Sequence, residues 1–148
     1  MNIWPFSHHK AEQCGVLLGD GAFAFPIVGE SHYQRELETI CGGKNKEGAH
    51  YRHAALLLPE PSNPYDKHAV CVKIFNSTVG YLSRDVAPDF LSALRLTDYV
   101  AIASEAKIVG GWHRRGEEDG YFGVRLNAMM PFAFVSADEY FRTKQGSQ

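Results

Sequence analysis

The run Ala69-Val70-Cys71-Val72-Lys73-Ile74-Phe75-Asn76-Ser77-Thr78-Val79-Gly80-Tyr81-Leu82 decides the fold class. Val70, Val72 and Ile74 fall at alternate positions, so a strand over 69–75 puts all three on one face. Asn76-Ser77 supplies a tight turn into a second β-prone run, 78–82, and the two runs predict a hairpin.

Just upstream stands Pro59-Glu60-Pro61-Ser62-Asn63-Pro64. Its three prolines lack the N–H that a ladder needs, so the chain must leave the sheet there as a stiff loop, after a strand over 51–58 that enters the core. Further back, 23–28 is apolar and β-prone, and Gly29 breaks it. Ser31 is placed to cap a helix from 32 to about 41, in which Tyr33, Leu37 and Ile40 share a face and Gly42-Gly43 ends the run. Downstream, Ser83 is placed to cap a helix reaching about 96, with Asp85 in its first turn, Pro88 early, and Phe90, Leu91 and Leu94 as an apolar stripe. Strands over 99–109 and 121–126 flank a glycine-rich polar loop, and the tail predicts a short helix over 137–142.

This order lacks the strand–helix alternation of a nucleotide-binding parallel sheet. It predicts a mainly β fold with two flanking helices, closed into a small barrel because so few strands otherwise leave exposed edges. Residues 1–21, with the polar opening Ser7, His8, His9 and Lys10, read as an N-terminal appendage, 22–134 as the barrel domain, and 135–148 as a C-terminal tail.

The 148 residues suit one domain, and 45% hydrophobic with 22% charged residues is ordinary for a globular chain. A net charge of -2 argues against wrapping a long duplex, though not against a compact, locally basic site. Cys14, Cys41 and Cys71 are far apart and read as reduced thiols. No apolar run has the roughly 18 residues of a membrane span, and the opening lacks a signal-peptide pattern, so a cytoplasmic chain without membrane contact is expected. His50 and His53 sit three apart near a strand, which sends them to opposite faces, and no cysteine or carboxylate set completes a site with them, with His8-His9 or with His68. Neither metal nor cofactor is expected. No nucleophile elbow, HExxH or phosphate-cradling motif is present, and Asp66 with His68 reads more simply as a turn acceptor and a surface side chain, so no enzyme is expected.

The prolines hold Asn63, Tyr65 and Asp66 on one rigid loop. An amide, a ring and a carboxylate so placed suit ligand capture: Tyr65 can stack on a base and Asp66 can accept a proton from a sugar hydroxyl. Equally, Asn63 and Asp66 can make turn bonds while Tyr65 packs on the barrel. The loop 109–120 brings Trp112, Arg114 and Arg115 together, a combination suited to a base and a phosphate, but Glu117, Glu118 and Asp119 follow at once, as in a solvated hairpin tip.

The run Asn63-Pro64-Tyr65-Asp66, the strand beginning Ala69-Val70 and the strand Val79-Gly80-Tyr81-Leu82 resemble the HIRAN domain, found on fork-remodelling helicases and as small bacterial proteins. The likeness extends back to Val28-Gly29-Glu30-Ser31-His32-Tyr33-Gln34 and forward to Gly110-Gly111-Trp112 and Gly123-Val124-Arg125-Leu126, covering about residues 23 to 132. It implies a modified OB-like barrel that takes the 3′ end of single-stranded DNA. Asp66 would then meet the terminal sugar, Tyr65 the base, and Tyr81 would face the same mouth. The helicase-attached members carry an arginine and a tyrosine after the first strand, where this chain has Ser31-His32-Tyr33. That departure leaves His32 or Tyr33 for stacking, and Arg84 or the Arg114-Arg115 pair for phosphate.

The resemblance implies a non-enzymatic module for single-stranded DNA or DNA ends, in repair or replication-fork processing and alongside DNA-processing proteins. A second reading is a protein-interaction domain that has lost the DNA pocket. A third, a metal-dependent hydrolase built on Asp66, has no motif to support it.

Overall fold

A computed structural model describes residues 11–146, so the opening with Ser7, His8, His9 and Lys10 lies outside the described residues. Along the chain run β1 (Cys14–Leu17), β2 (Phe25–Pro26), α1 (Gln34–Cys41), β3 (Ala49–Pro59), β4 (Val70–Ile74), β5 (Ser77–Tyr81), α2 (Ala87–Arg95), β6 (Ala101–Gly110), β7 (Phe122–Leu126), β8 (Phe134–Ser136) and α3 (Ala137–Gly146). The fold is mainly β, with an antiparallel sheet in the order β2-β7-β6-β3-β4-β5 that curls into a half-barrel.

The hairpin forms as its alternation requires: Val70, Val72 and Ile74 are buried, with Val79 from the partner strand. Its turn is Phe75-Asn76, one residue earlier than expected, because Ser77 pairs with Ile74 in the ladder. Both turn residues have positive φ, 50° and 67°, which a two-residue hairpin turn demands. Gly80 is needed for space. A Cβ there would lie 2.7 Å from both Ile27 Cδ1 and the Val28 carbonyl oxygen. The close approach lets Val28 and Tyr81 exchange two backbone hydrogen bonds of 2.8 and 2.9 Å.

Two expected caps are corrected. Ser31 lies in a 3-10 turn, Glu30–His32, and α1 starts only after Tyr33, with no side-chain cap. Gln34 helps to set that start, since its amide pairs with both the N–H and the carbonyl of Phe122 on β7. Gly42 does end the helix, in the left-handed conformation at φ 77°. Ser83 caps a turn rather than a helix: its hydroxyl accepts the Asp85 N–H, and α2 begins four residues later with Pro88 in its first turn.

The largest departure concerns the chain ends. Residues 14–17, expected within an appendage, form an interior strand whose four residues are all buried. β1 runs parallel to β6 through Cys14↔Ala101 and Val16↔Ala103, and antiparallel to β8 on its other side. The tail likewise supplies β8 and α3, and Ala137 joins Cys14, Val16, Ala101 and Ala103 in a small second core. The long strand β6 makes this possible: β3 pairs along one edge, while β1 and β7 share the other. The main core lies inside the half-barrel around Phe90, Phe122, Leu57 and Ile102. No helix among the described residues is long and apolar enough to cross a membrane.

Candidate functional site

The loop after β3 is closed at its base by a 2.8 Å hydrogen bond from the Glu60 N–H to the Ala69 carbonyl. Inside it, Asn63 Oδ1 accepts the N–H of Tyr65 at 2.8 Å and of Asp66 at 3.1 Å. Asp66 Oδ1 accepts the His68 N–H at 2.9 Å. So Asn63 and Asp66 do make turn bonds. Tyr65 does not pack: its side chain stands free, at 87% exposure. The loop therefore joins the two readings the residues allowed, with turn bonds holding an unsupported ring outward.

Glu60 ties this loop to the sheet. Its Oε1 accepts hydrogen bonds from Asn63 Nδ2 and from the Tyr81 hydroxyl, both at 3.0 Å. Burial, then the bond to Glu60, pushes the Tyr81 hydroxyl well above the usual tyrosine range, so at neutral pH it remains a donor. The sequence reading omits Glu60. Its only local signal is its place between Pro59 and Pro61, and its acceptor role needs Tyr81, 21 residues away.

A cavity of about 520 Å³ opens beside the loop, within the range of small-ligand sites. It is lined by His32, Tyr33, Asn63, Tyr65, Asp66 and Tyr81, so six of the nine candidate residues come together. Val28, held by its bridge to Tyr81, and Arg84, just after β5, are also part of the wall. Asp66 is half-buried, and its Oδ2, the oxygen not used by the turn, faces Arg84 Nε at 3.8 Å, an ion pair without a hydrogen bond. Such a pair leaves both groups able to engage a ligand. The cavity thus offers an acidic acceptor, a guanidinium and several aromatic faces.

Trp112, Arg114 and Arg115 do not line this cavity. The Trp112 ring packs flat on Gly120, where a Cβ would lie 2.3 Å from the ring, and the Arg114 guanidinium covers it at 5.2 Å. Arg114 Nε also donates to the Lys46 carbonyl. These two residues pin the 109–120 loop to the chain near Asn45, which bridges to Trp112, while Arg115 is exposed. Trp112→Ala is therefore expected to cost about 1–3 kcal/mol of stability, read by chemical denaturation, with ligand affinity unchanged in the folded protein. A loss of affinity without loss of stability is the opposite result and would return Trp112 to the site.

Among the described residues, no group of three or more histidine, cysteine or acidic side chains is placed to share a metal ion. Set against models of protein families, curated proteins and solved structures, the chain matches none.

Proposed function

We propose that this chain is a non-enzymatic, HIRAN-like binding module that takes the 3′ end of a single DNA strand into the cavity beside loop 60–69. One observation carries the reading: a half-buried carboxylate with an oxygen to spare, an arginine 3.8 Å from it and a free tyrosine ring share one cavity. Asp66 Oδ2 accepts the terminal hydroxyl, Tyr65 stacks on the last base, and His32 or Tyr33 supports the next. Arg84 takes the phosphate that joins them, the part for which Ser31 is unsuited. A terminal phosphate is disfavoured, because it brings negative charge against Asp66 with Glu60 close behind.

The same reading treats the half-barrel as an OB-like barrel closed by residues 25–28. This segment pairs with β7 through Phe25 and Pro26 and reaches β5 through Val28, so it joins the two ends of the strand order.

The test is fluorescence anisotropy of a short labelled strand ending in a 3′-hydroxyl against the same strand ending in a 3′-phosphate. Tighter binding of the hydroxyl end supports capture. If neither strand binds at low salt, the DNA reading falls and a protein partner takes its place. Arg84→Gln is expected to weaken the hydroxyl-ended strand and to reduce the slope of log K against log salt by about 0.7, the share of one phosphate contact on a single strand. An unchanged slope would remove Arg84 from the phosphate.

A further inference from the structure

Arg52 on β3, Lys107 on β6 and Arg125 on β7 are in register: Arg52 pairs with Lys107, and Lys107 with Arg125. Their neighbours Ile108 and Val124 turn into the core, so by the two-residue alternation of strands this row lies on the convex face of the sheet. Like charges directly opposite one another across strands destabilise a sheet, so three cations side by side call for a physical reason.

One reason is local and incomplete. The Phe23 ring, almost fully buried, lies beneath Arg52 at 4.6 Å and Lys107 at 5.0 Å, and Phe23 holds a positive φ of 52° to reach that place. Covering a ring needs one long stem, charged or not. Glu105 neutralises part of Arg52, with 3.4 Å between them, while also accepting the Tyr140 hydroxyl. Glu30 flanks Arg125 across Gly123, but its Oε2 accepts the Val124 N–H. The ion pairs among the described residues include neither Lys107 nor Arg125, and Arg125 Nη1 donates to the Val124 carbonyl at 3.2 Å.

The Arg125 end of the row adjoins the segment that reaches the cavity. Arg125 pairs with Pro26, and Val28, two residues further on, lines the cavity wall. We infer that Arg125, Lys107 and Arg52 form a phosphate track for the DNA strand whose 3′ end is held beside Asp66. The inference rests on the end-capture reading for its starting point and adds a second binding surface to it. The occupant is a nucleic-acid backbone because the track offers positive charge at successive strand spacings. It adds no pocket for side chains or bases.

The experiment compares hydroxyl-ended strands of about four and about twelve nucleotides, titrated at roughly 50 and 200 mM salt. It uses the wild type, Arg125→Gln and the triple variant Arg52→Gln, Lys107→Gln, Arg125→Gln. For wild type, the longer strand should show a log–log salt slope steeper by about 2, the sum for three phosphates. The triple variant should bring that slope down to the short strand's and weaken the longer strand about tenfold at low salt, leaving the short strand's end preference intact. Arg125→Gln alone, which leaves the Phe23 contacts in place, should remove about 0.7 of the slope. A longer strand whose slope and affinity are the same in wild type and Arg125→Gln would overturn the track. A slope difference without any end preference would keep the track and sink end capture, and failure of both strands to bind would sink both.

Discussion

Asp66→Ala is expected to abolish the preference for a free 3′-hydroxyl and to weaken binding of that end about tenfold to a hundredfold. A hydrogen bond to a charged acceptor contributes about 1.5–3 kcal/mol, which converts to that range. The half-buried setting of Asp66 favours the upper part, since water competes less for its Oδ2. Alanine also deletes the acceptor for the His68 N–H, so a drop of about 1 kcal/mol in stability should accompany it. Asp66→Asn separates the two effects. Its amide oxygen keeps the turn bond, while an N–H2 replaces Oδ2 and removes the negative charge. The asparagine variant should fold like the wild type and shift its preference toward a 3′-phosphate, which a donor welcomes and a carboxylate repels. Anisotropy with the two strand ends reads both variants. Alanine and asparagine forms that still favour the hydroxyl end by the wild-type factor would rule Asp66 out as its acceptor.

Val16→Asp is expected to unfold the protein at physiological temperature. Val16 is fully buried between β6 and β8, in the core that Ala137 of α3 completes. Losing its burial costs about 1.5–3 kcal/mol, and a carboxylate set among the apolar side chains of this core costs several more. The sum approaches the whole stability of a domain, about 5–15 kcal/mol. Were residues 14–17 a loose appendage, the same change would stay within about 0.5 kcal/mol, as surface substitutions do. Thermal unfolding followed by circular dichroism separates these outcomes cleanly, and an unchanged midpoint would mean that β1 is dispensable.

Part of the site was legible because its determinants are local. Asn63, Tyr65 and Asp66 sit within four residues, and prolines and turn bonds between near neighbours hold them whatever the rest of the chain does. In the sequence, Tyr81 is placed near them only through the resemblance of the strand Val79-Gly80-Tyr81-Leu82 to the HIRAN domain. Glu60 could not be placed, since a carboxylate between two prolines looks like any solvated loop residue until Tyr81 arrives to share it. Arg84 was one of several cations available by composition, and only the approach of β5 to the loop sets it 3.8 Å from Asp66. Trp112 and Arg114 read as a base and phosphate contact or as part of a solvated hairpin tip, and neither reading anticipates that they pack the loop. The lack of a side chain at Gly120, eight residues on, decides for packing.

By itself the sequence determined the mainly β class, the 70–81 hairpin, the proline-bounded loop, the first two helices to within a few residues, and the clustering of an amide, a ring and a carboxylate. All of these follow from alternation, helical spacing and the missing N–H of proline, which act over a few residues and need no partner. The tertiary structure alone decided that β1 and β8 are interior strands, that Arg84 rather than the Arg114-Arg115 pair faces the cavity, and that three cations from three strands stand in one row. Each of these depends on register between segments tens of residues apart. A four-residue apolar run such as Cys14–Leu17 is too short to carry a period of its own, and it becomes a strand only because β6 leaves half of one edge open to receive it.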